Sequence, residues 1–236
     1  MKTSQPPLLM HKKSNRVRQT MRSTLLLALV CIGASGYANT VDKPLGFEAV
    51  FAEKGQPEAL HFTSTFRVDG MDHKLEVWRL HDEHLKRVTD GTLEVHVERK
   101  SGDPEFHMTV MDRKKNLLTE IDRTNLYQIG NFTDWFDLAH GIKHPMGPYQ
   151  LARGSKPVGM PAAVEPCDWF DLKQGPATTH ICWSGKNKLP LLIGAQDGQL
   201  LWQVTQVDRK PIVKKAFEIH DAGFIRNNAN DDIAHD

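Results

Sequence analysis

Acidic residues are missing from the first 41 positions of this 236-residue chain, where six Lys and Arg side chains precede Asp42. The apolar run Leu25–Ile32 is too short to span a bilayer, which needs about 20 residues. A basic start, a short apolar run and the small-residue end at Gly36-Tyr37-Ala38 predict a cleaved signal peptide over residues 1–38. The alternative is an uncleaved membrane anchor, which the short run disfavours.

The chain also lacks an excess of positive charge once that segment is set aside. Six of its 30 Lys and Arg residues lie in the predicted signal, so residues 39–236 carry 24 against 29 Asp and Glu, a net charge of −5. This excludes nucleic acid as a favoured partner, because its binding depends on neutralising phosphates. Residues 39–236 predict one β-rich periplasmic domain without a transmembrane helix.

Cysteine is scarce, and no pair has the CxxC spacing of thiol-redox proteins. Cys31 lies in the predicted signal, which leaves Cys167 and Cys182, 15 residues apart. An even pair in an oxidising compartment predicts a disulfide that stabilises the fold by about 3 kcal/mol. The alternative is two buried free thiols.

Catalytic motifs are absent as well: there is no GxSxG elbow, no HExxH helix and no glycine-rich phosphate loop. We therefore predict a non-catalytic protein without a cofactor. Histidine pairs at His81/His84 and His140/His144 have spacings that would suit a metal on one helix face. A predicted turn around the first pair, and Gly141 within the second, indicate solvated histidines and no dedicated metal site.

Alternating apolar residues, in contrast, are plentiful. Leu93–Glu98 and the segment around Phe106, Met108 and Val110 have the period of two that is typical of half-buried strands. Asp69-Gly70 and Asp90-Gly91 predict tight hairpins, because Asp-Gly accepts positive φ angles. We predict a mainly β, α+β fold: a curved antiparallel sheet or incomplete β-barrel with helices on its inner face. A two-sheet sandwich is the alternative.

Four other segments carry local predictions. Residues 44–54 and 133–140 predict helices, the second capped by Thr133 and ended by Gly141. Residues 153–166, rich in Gly and Pro, predict a long surface loop that is either a binding loop or a plain connection. The polar residues 227–236 predict an irregular C-terminal end.

The order of these elements, with Phe62–Phe66 and Val77–Leu80 leading to Asp90-Gly91 and Leu189–Leu191 leading to Trp202–Val204, resembles a known group. It is similar to the periplasmic lipoprotein carriers and localisation factors of the Lol system and to the related sensor domain of the sigma-factor regulator RseB. The resemblance implies an unclosed barrel covered by helices, with a hydrophobic cavity for lipid tails.

Binding of a lipid, an acyl chain or a lipoprotein is therefore the function that we predict. The predicted cavity residues are Phe62, Phe66, Leu93, Val95, Val97, Phe106, Met108, Val110, Trp135 and Phe136. One alternative is a periplasmic metal-binding protein that uses histidines. Another is an accessory protein that docks on an envelope complex through an exposed aromatic patch.

Overall fold

A computed structural model of the protein describes residues 45–131 and 133–234, so the predicted signal peptide and its cleavage site lie outside the described residues. In this described part of the chain, twelve strands form one sheet. They are β1 Ala59–Val68, β2 Met71–Leu80, β3 His84–Thr89, β4 Leu93–Glu98, β5 His107–Asp112, β6 Leu117–Asp122, β7 Gln150–Arg153, β8 Asp168–Gln174, β9 Ala177–Ser184, β10 Leu189–Ala195, β11 Leu200–Asp208 and β12 Ile225–Asn228. The strand order is β12-β6-β5-β4-β3-β2-β1-β11-β10-β9-β8-β7.

The sheet is curved and unclosed, with β12 and β7 at its two edges. Every neighbouring pair is antiparallel except β12 and β6, which run parallel. Both predicted Asp-Gly hairpins are present: Asp69 and Gly70 join β1 to β2, and Asp90 and Gly91 join β3 to β4, all four with positive φ. The predicted mainly β fold with an incomplete barrel is confirmed.

Within the described residues, four short α-helices accompany the sheet, α1 Phe47–Val50, α2 Arg123–Gln128, α3 Trp135–His140 and α4 Ala229–Ala234, and Lys214–Phe217 forms a short 3-10 helix. Apolar side chains of α2, α3 and α4 pack into one core with Phe62 and Val97, so the helices cover one face of the sheet, here called the inner face. In the described part of the chain, no helix is long and apolar enough to cross a membrane.

The helix predictions were partly wrong. The helix expected over residues 44–54 is a single turn that ends where the Phe51 N–H donates to the Phe47 carbonyl oxygen, and beyond it Phe51 packs with Phe47 in an aromatic cluster that includes Phe136, Phe170 and Trp183. The helix expected over residues 133–140 begins at Trp135 after Asp134, not after Thr133, and ends at Gly141 as predicted. Sequence patterns did not predict α2.

The C-terminal prediction was also wrong. Residues 227–234 are not irregular: Ile225–Asn228 pairs with β6, and α4 follows directly. Asn230 Oδ1 accepts hydrogen bonds from the Asp122 backbone N–H and the Asn125 amide, both at 2.8 Å. These tertiary hydrogen bonds order a polar segment whose composition alone would leave it in solvent.

The segment 209–224 connects β11 to β12, which have six other strands between them in the sheet. Phe217 packs on Ala59 and Leu80, on the face opposite to the helices, here called the outer face. The chain therefore returns across the outer face before it pairs with β6.

The loop expected over residues 153–166 runs from Gly154 to Cys167 without helix or strand. Met160 is buried against Gly194 of β10, and Glu165 forms an ion pair with Arg209. The predicted disulfide joins Cys167 to Cys182 of β9. The loop is therefore fixed to the sheet at three points.

Candidate ligand-binding hollow on the inner face

Cross-strand pairing sorts the inner-face side chains of β2 to β6 into three rows. The row under the helices is Arg79, Leu85, Val97, Met108 and Ile121; the middle row is Val77, Arg87, Val95, Val110 and Thr119; and the row nearest the hairpin turns is Leu75, Thr89, Leu93, Asp112 and Leu117. Because a strand alternates its side chains between faces, each row is two residues from the next.

Burial falls from the first row to the third on the β4–β6 side. Val97 in the first row is 0% exposed, whereas Val95 and Val110 in the middle row are partly exposed and Leu93 in the third row is 39% exposed. The helices therefore cover only part of the apolar face. The uncovered part, formed by Arg87, Leu93, Val95 and Val110 with Met108 and Leu138 at its border, is here called the hollow.

The structure separates the ten predicted cavity residues into groups. Four of them form the closed core under the helices: Phe62, Val97, Phe106 and Trp135. Four others belong to the hollow or its border: Leu93, Val95, Met108 and Val110. The remaining two lie elsewhere.

Phe66 and Phe136 are those two residues. Phe66 lies on β1, three strands from β4, beside a cleft of about 330 Å³ that Leu200 and Trp202 also line. Phe136 packs with Phe47 in the second apolar cluster. The structure thus brings together only part of the predicted set.

Arg87 is a residue of the hollow that sequence reasoning missed. It lies between Val77 and Val95 in the middle row, and its Nη1 donates a long hydrogen bond of 3.4 Å to the carbonyl oxygen of Leu138 in α3. Burial lowers the pKa of Arg87, although a guanidinium stays protonated at neutral pH. A signal was present in the sequence, since Arg87 has the same strand phase as the apolar Leu85.

Arg79 occupies the first row and is completely buried, but it has several partners. Its guanidinium donates to the carbonyl oxygens of Ala139 at 3.2 Å and Asn187 at 2.9 Å, and it lies 2.9 Å from His140 Nδ1. Burial lowers the pKa of Arg79 to about 10, so it carries its charge at neutral pH. This one side chain joins β2 to the end of α3 and to the β9–β10 turn.

His140 extends this buried network toward the surface. Its Nδ1 contacts the Lys188 carbonyl oxygen, and its Nε2 lies 3.3 Å from Glu53 Oε1. Burial lowers the pKa of His140, and the hydrogen bond with His140 is the main reason why the pKa of Glu53 is lowered. The network links the segment after α1 to α3 and to the sheet, which is a structural role.

The outer face carries a second buried charge at Glu94. Its carboxylate accepts hydrogen bonds from His96 Nε2 at 2.7 Å and from Lys86 Nζ at 2.9 Å, and it pairs with Arg113. The His96 contact, followed by Arg113 and Lys86, holds the pKa of Glu94 well below its ordinary value. The negative charge of the Glu94 carboxylate is thereby balanced within the sheet.

The two predicted histidine pairs do not meet in one coordination geometry. His81 lies in a turn with positive φ while His84 begins β3, and His140 is buried in α3 while His144 lies beyond its end. Within residues 45–131 and 133–234, no group of three His, Cys, Asp or Glu side chains is arranged to hold a metal ion.

Comparison with known proteins gives a distant structural likeness. No protein-family model matches the chain, and no curated protein matches it in sequence. A crystal structure of MucB, an RseB-like protein, aligns with a TM-score of 0.39 and 14% identity over 72% of this chain. The aligned region spans 60% of the MucB chain, which is less than two thirds of its length.

Proposed function

We propose that the protein is an exported, non-catalytic module that binds the acyl chain of a lipid or lipoprotein in the hollow. Its partners in this proposal are that hydrophobic ligand and an envelope protein that delivers or receives it. The Cys167–Cys182 disulfide supports a site of action in an oxidising compartment such as the periplasm.

The observation that carries the proposal is that the helices cover only part of the apolar side chains on the inner face. Leu93, Val95 and Val110 remain accessible to solvent although Val97, on the same strand, is sealed by the helices. Burying exposed apolar surface is favourable by about 25 cal/mol per Å². An acyl chain laid along these side chains would gain that free energy without any rearrangement of the core.

The number of methylene groups that leave water sets the expected strength of binding. Each methylene group removed from water contributes about 0.8 kcal/mol, so five of them contribute about 4 kcal/mol. That free energy corresponds to a Kd of about 1 mM. Apolar contact alone therefore gives weak binding, and a tighter complex needs a polar anchor.

The experiment is a fluorescence titration with cis-parinaric acid and with its methyl ester, which share one polyene chain. We expect saturable binding of at least one probe by residues 39–236. Val110→Trp, which fills the middle of the hollow, should weaken the binding of both probes about tenfold. Ile225→Trp is the matched control, because Ile225 is exposed on β12 at the edge of the sheet.

Two results would contradict the proposal. One is the absence of saturable binding for both probes. The other is unchanged binding by the Val110→Trp protein, which would place the chain outside the hollow. Thermal unfolding of each variant checks that the sheet is intact.

A further inference from the structure

Arg87 differs from Arg67, Arg79 and Arg226, three other arginines of the sheet, in having almost no partner. Its one hydrogen bond, to the Leu138 carbonyl oxygen, is 3.4 Å long, and no described carboxylate lies within 4 Å of its guanidinium. Arg67 and Arg226 each pair with an aspartate, and Arg79 reaches three partners at 3.2 Å or less. The positive charge of Arg87 is therefore not balanced within the described structure.

The neighbours of Arg87 on the inner face do not supply that balance. Val77 and Val95 flank it across the strands, and Leu85 and Thr89 flank it along β3. A carboxylate does lie on the same face, Asp112 in the third row, but its Oδ2 accepts from Lys115 Nζ at 3.1 Å. Glu94, on the neighbouring strand β4, has the opposite phase and belongs to the outer face.

The unused N–H groups of Arg87 are accessible. A guanidinium has five N–H donors in a planar fork, and this one uses a single donor. No nitrogen of Arg87 is among the described buried side-chain atoms that lack a partner. Its free donors therefore reach solvent, at the floor of the hollow and beside Val95.

We propose that the ligand of the hollow is an anionic amphiphile whose carboxylate or phosphate oxygens accept hydrogen bonds from Arg87 while its acyl chain lies along Val95, Val110 and Leu93. This inference rests on the proposed function and names the chemical class of its ligand. A planar guanidinium suits both head groups, because each offers two oxygens to a bidentate pair. Partial burial strengthens the attraction, since the effective dielectric constant is lower than in water.

The experiment compares acid with ester in wild type and variants. The wild-type protein should bind cis-parinaric acid at least tenfold more tightly than its methyl ester at low ionic strength. Arg87→Met should abolish this preference by weakening the acid and leaving the ester unchanged, and Arg87→Lys should retain part of it. Arg226→Met is the matched control, because Arg226 pairs with Asp221 away from the hollow.

Competition distinguishes the two head groups. Displacement of the probe by oleate more than by oleoyl lysophosphatidate supports a carboxylate, and the reverse order supports a phosphate. Monooleoylglycerol, which has the same chain and no charge, should displace poorly in either case. Displacement by inorganic phosphate at the same concentration would contradict an amphiphilic ligand.

The results separate this inference from the proposed function. Equal binding of acid and ester by the wild type, with Val110→Trp still weakening both, overturns the role of Arg87 and leaves the acyl-binding function standing. An acid preference that survives Arg87→Met also overturns it. Absence of binding by both probes overturns the inference and the function together.

Discussion

At the residue scale, two arginines on the inner face differ in how well their guanidinium groups are paired. Arg79 on β2 is fully buried and donates to two carbonyl oxygens, one of them at the C-terminal end of α3, where a positive charge is favoured. Arg87 on β3 has only one long hydrogen bond. Removing Arg79 breaks its hydrogen bonds to two buried carbonyl oxygens, whereas removing Arg87 relieves an unbalanced charge.

We expect Arg79→Met to lower the free energy of unfolding by about 3–5 kcal/mol, because it leaves buried carbonyl oxygens without donors. Arg87→Met should leave this free energy unchanged or raise it by up to about 1 kcal/mol, since a long unbranched apolar side chain replaces a poorly paired cation. Urea unfolding at pH 7 without ligand measures both. Equal losses in the two variants would show that Arg87 also has a stabilising partner.

At the element scale, the strands were predictable from sequence and most helix boundaries were not. Asp69-Gly70 and Asp90-Gly91 fix the hairpins locally, because their positive φ angles belong to the turn itself. The segments around Phe47 and Asn230 depend on distant contacts, with an aromatic cluster and with the backbone of β6. Local sequence patterns do not reveal such distant contacts. They therefore predicted too long a helix around Phe47 and no regular structure around Asn230.

Gly141 is needed for two reasons, the local one that it ends α3 and the tertiary one that Trp202 packs closely against it. It ends α3 with φ +66°, and a Cβ placed there would lie 3.1 Å from Cη2 of Trp202. Gly141→Ala should lower the free energy of unfolding by about 2 kcal/mol, from the left-handed backbone and the contact with the indole. Thermal unfolding measures the loss.

Gly130 gives the matched control for this prediction. It lies just after α2 with φ +78°, and nothing is within 4 Å of a Cβ placed there. Gly130→Ala should therefore cost only the backbone part, about 1 kcal/mol. A loss as large as that of Gly141→Ala would show that Trp202 moves aside without cost.

At the scale of the whole molecule, the sequence predicted the curved sheet and three of the four side chains that form the hollow, all but Arg87. The alternation of Leu93, Val95 and Val97 assigned them to one face, but the packing of the helices, which the alternation does not show, leaves Val97 buried and Leu93 exposed. Arg87 was missed for the opposite reason: its charge suggested solvent, while its strand phase placed it inside. The large aromatic residues that are most prominent in the sequence, such as Phe62 and Trp135, lie in the core. Their side chains have the largest apolar surfaces that packing of the helices on the sheet can bury.

Two buried ionisable groups on different sides of the sheet, His140 and Glu94, predict that the free energy of unfolding falls in acid. Burial lowers the pKa of His140 below its ordinary value of 6.5, so the folded state favours the neutral imidazole. Its contribution to stability is present above pH 6.5 and is lost as the pH falls below that value. The pKa of Glu94 is held well below its ordinary value of 4.5, so its contribution is present above pH 4.5 and is lost as the pH falls further.

We therefore expect the free energy of unfolding to fall in two steps, one beginning near pH 6.5 and one near pH 4.5. The groups that face His140 are Arg79 and Glu53, and the groups that face Glu94 are Lys86, His96 and Arg113. Urea unfolding between pH 8 and pH 3 should show that His140→Gln flattens the first step and Glu94→Gln the second. His220→Gln, at an exposed position, is the control and should alter neither step. A wild-type free energy of unfolding that is constant from pH 7 to pH 5 would contradict the burial of a neutral His140, because protonation of that imidazole is the source of the first step.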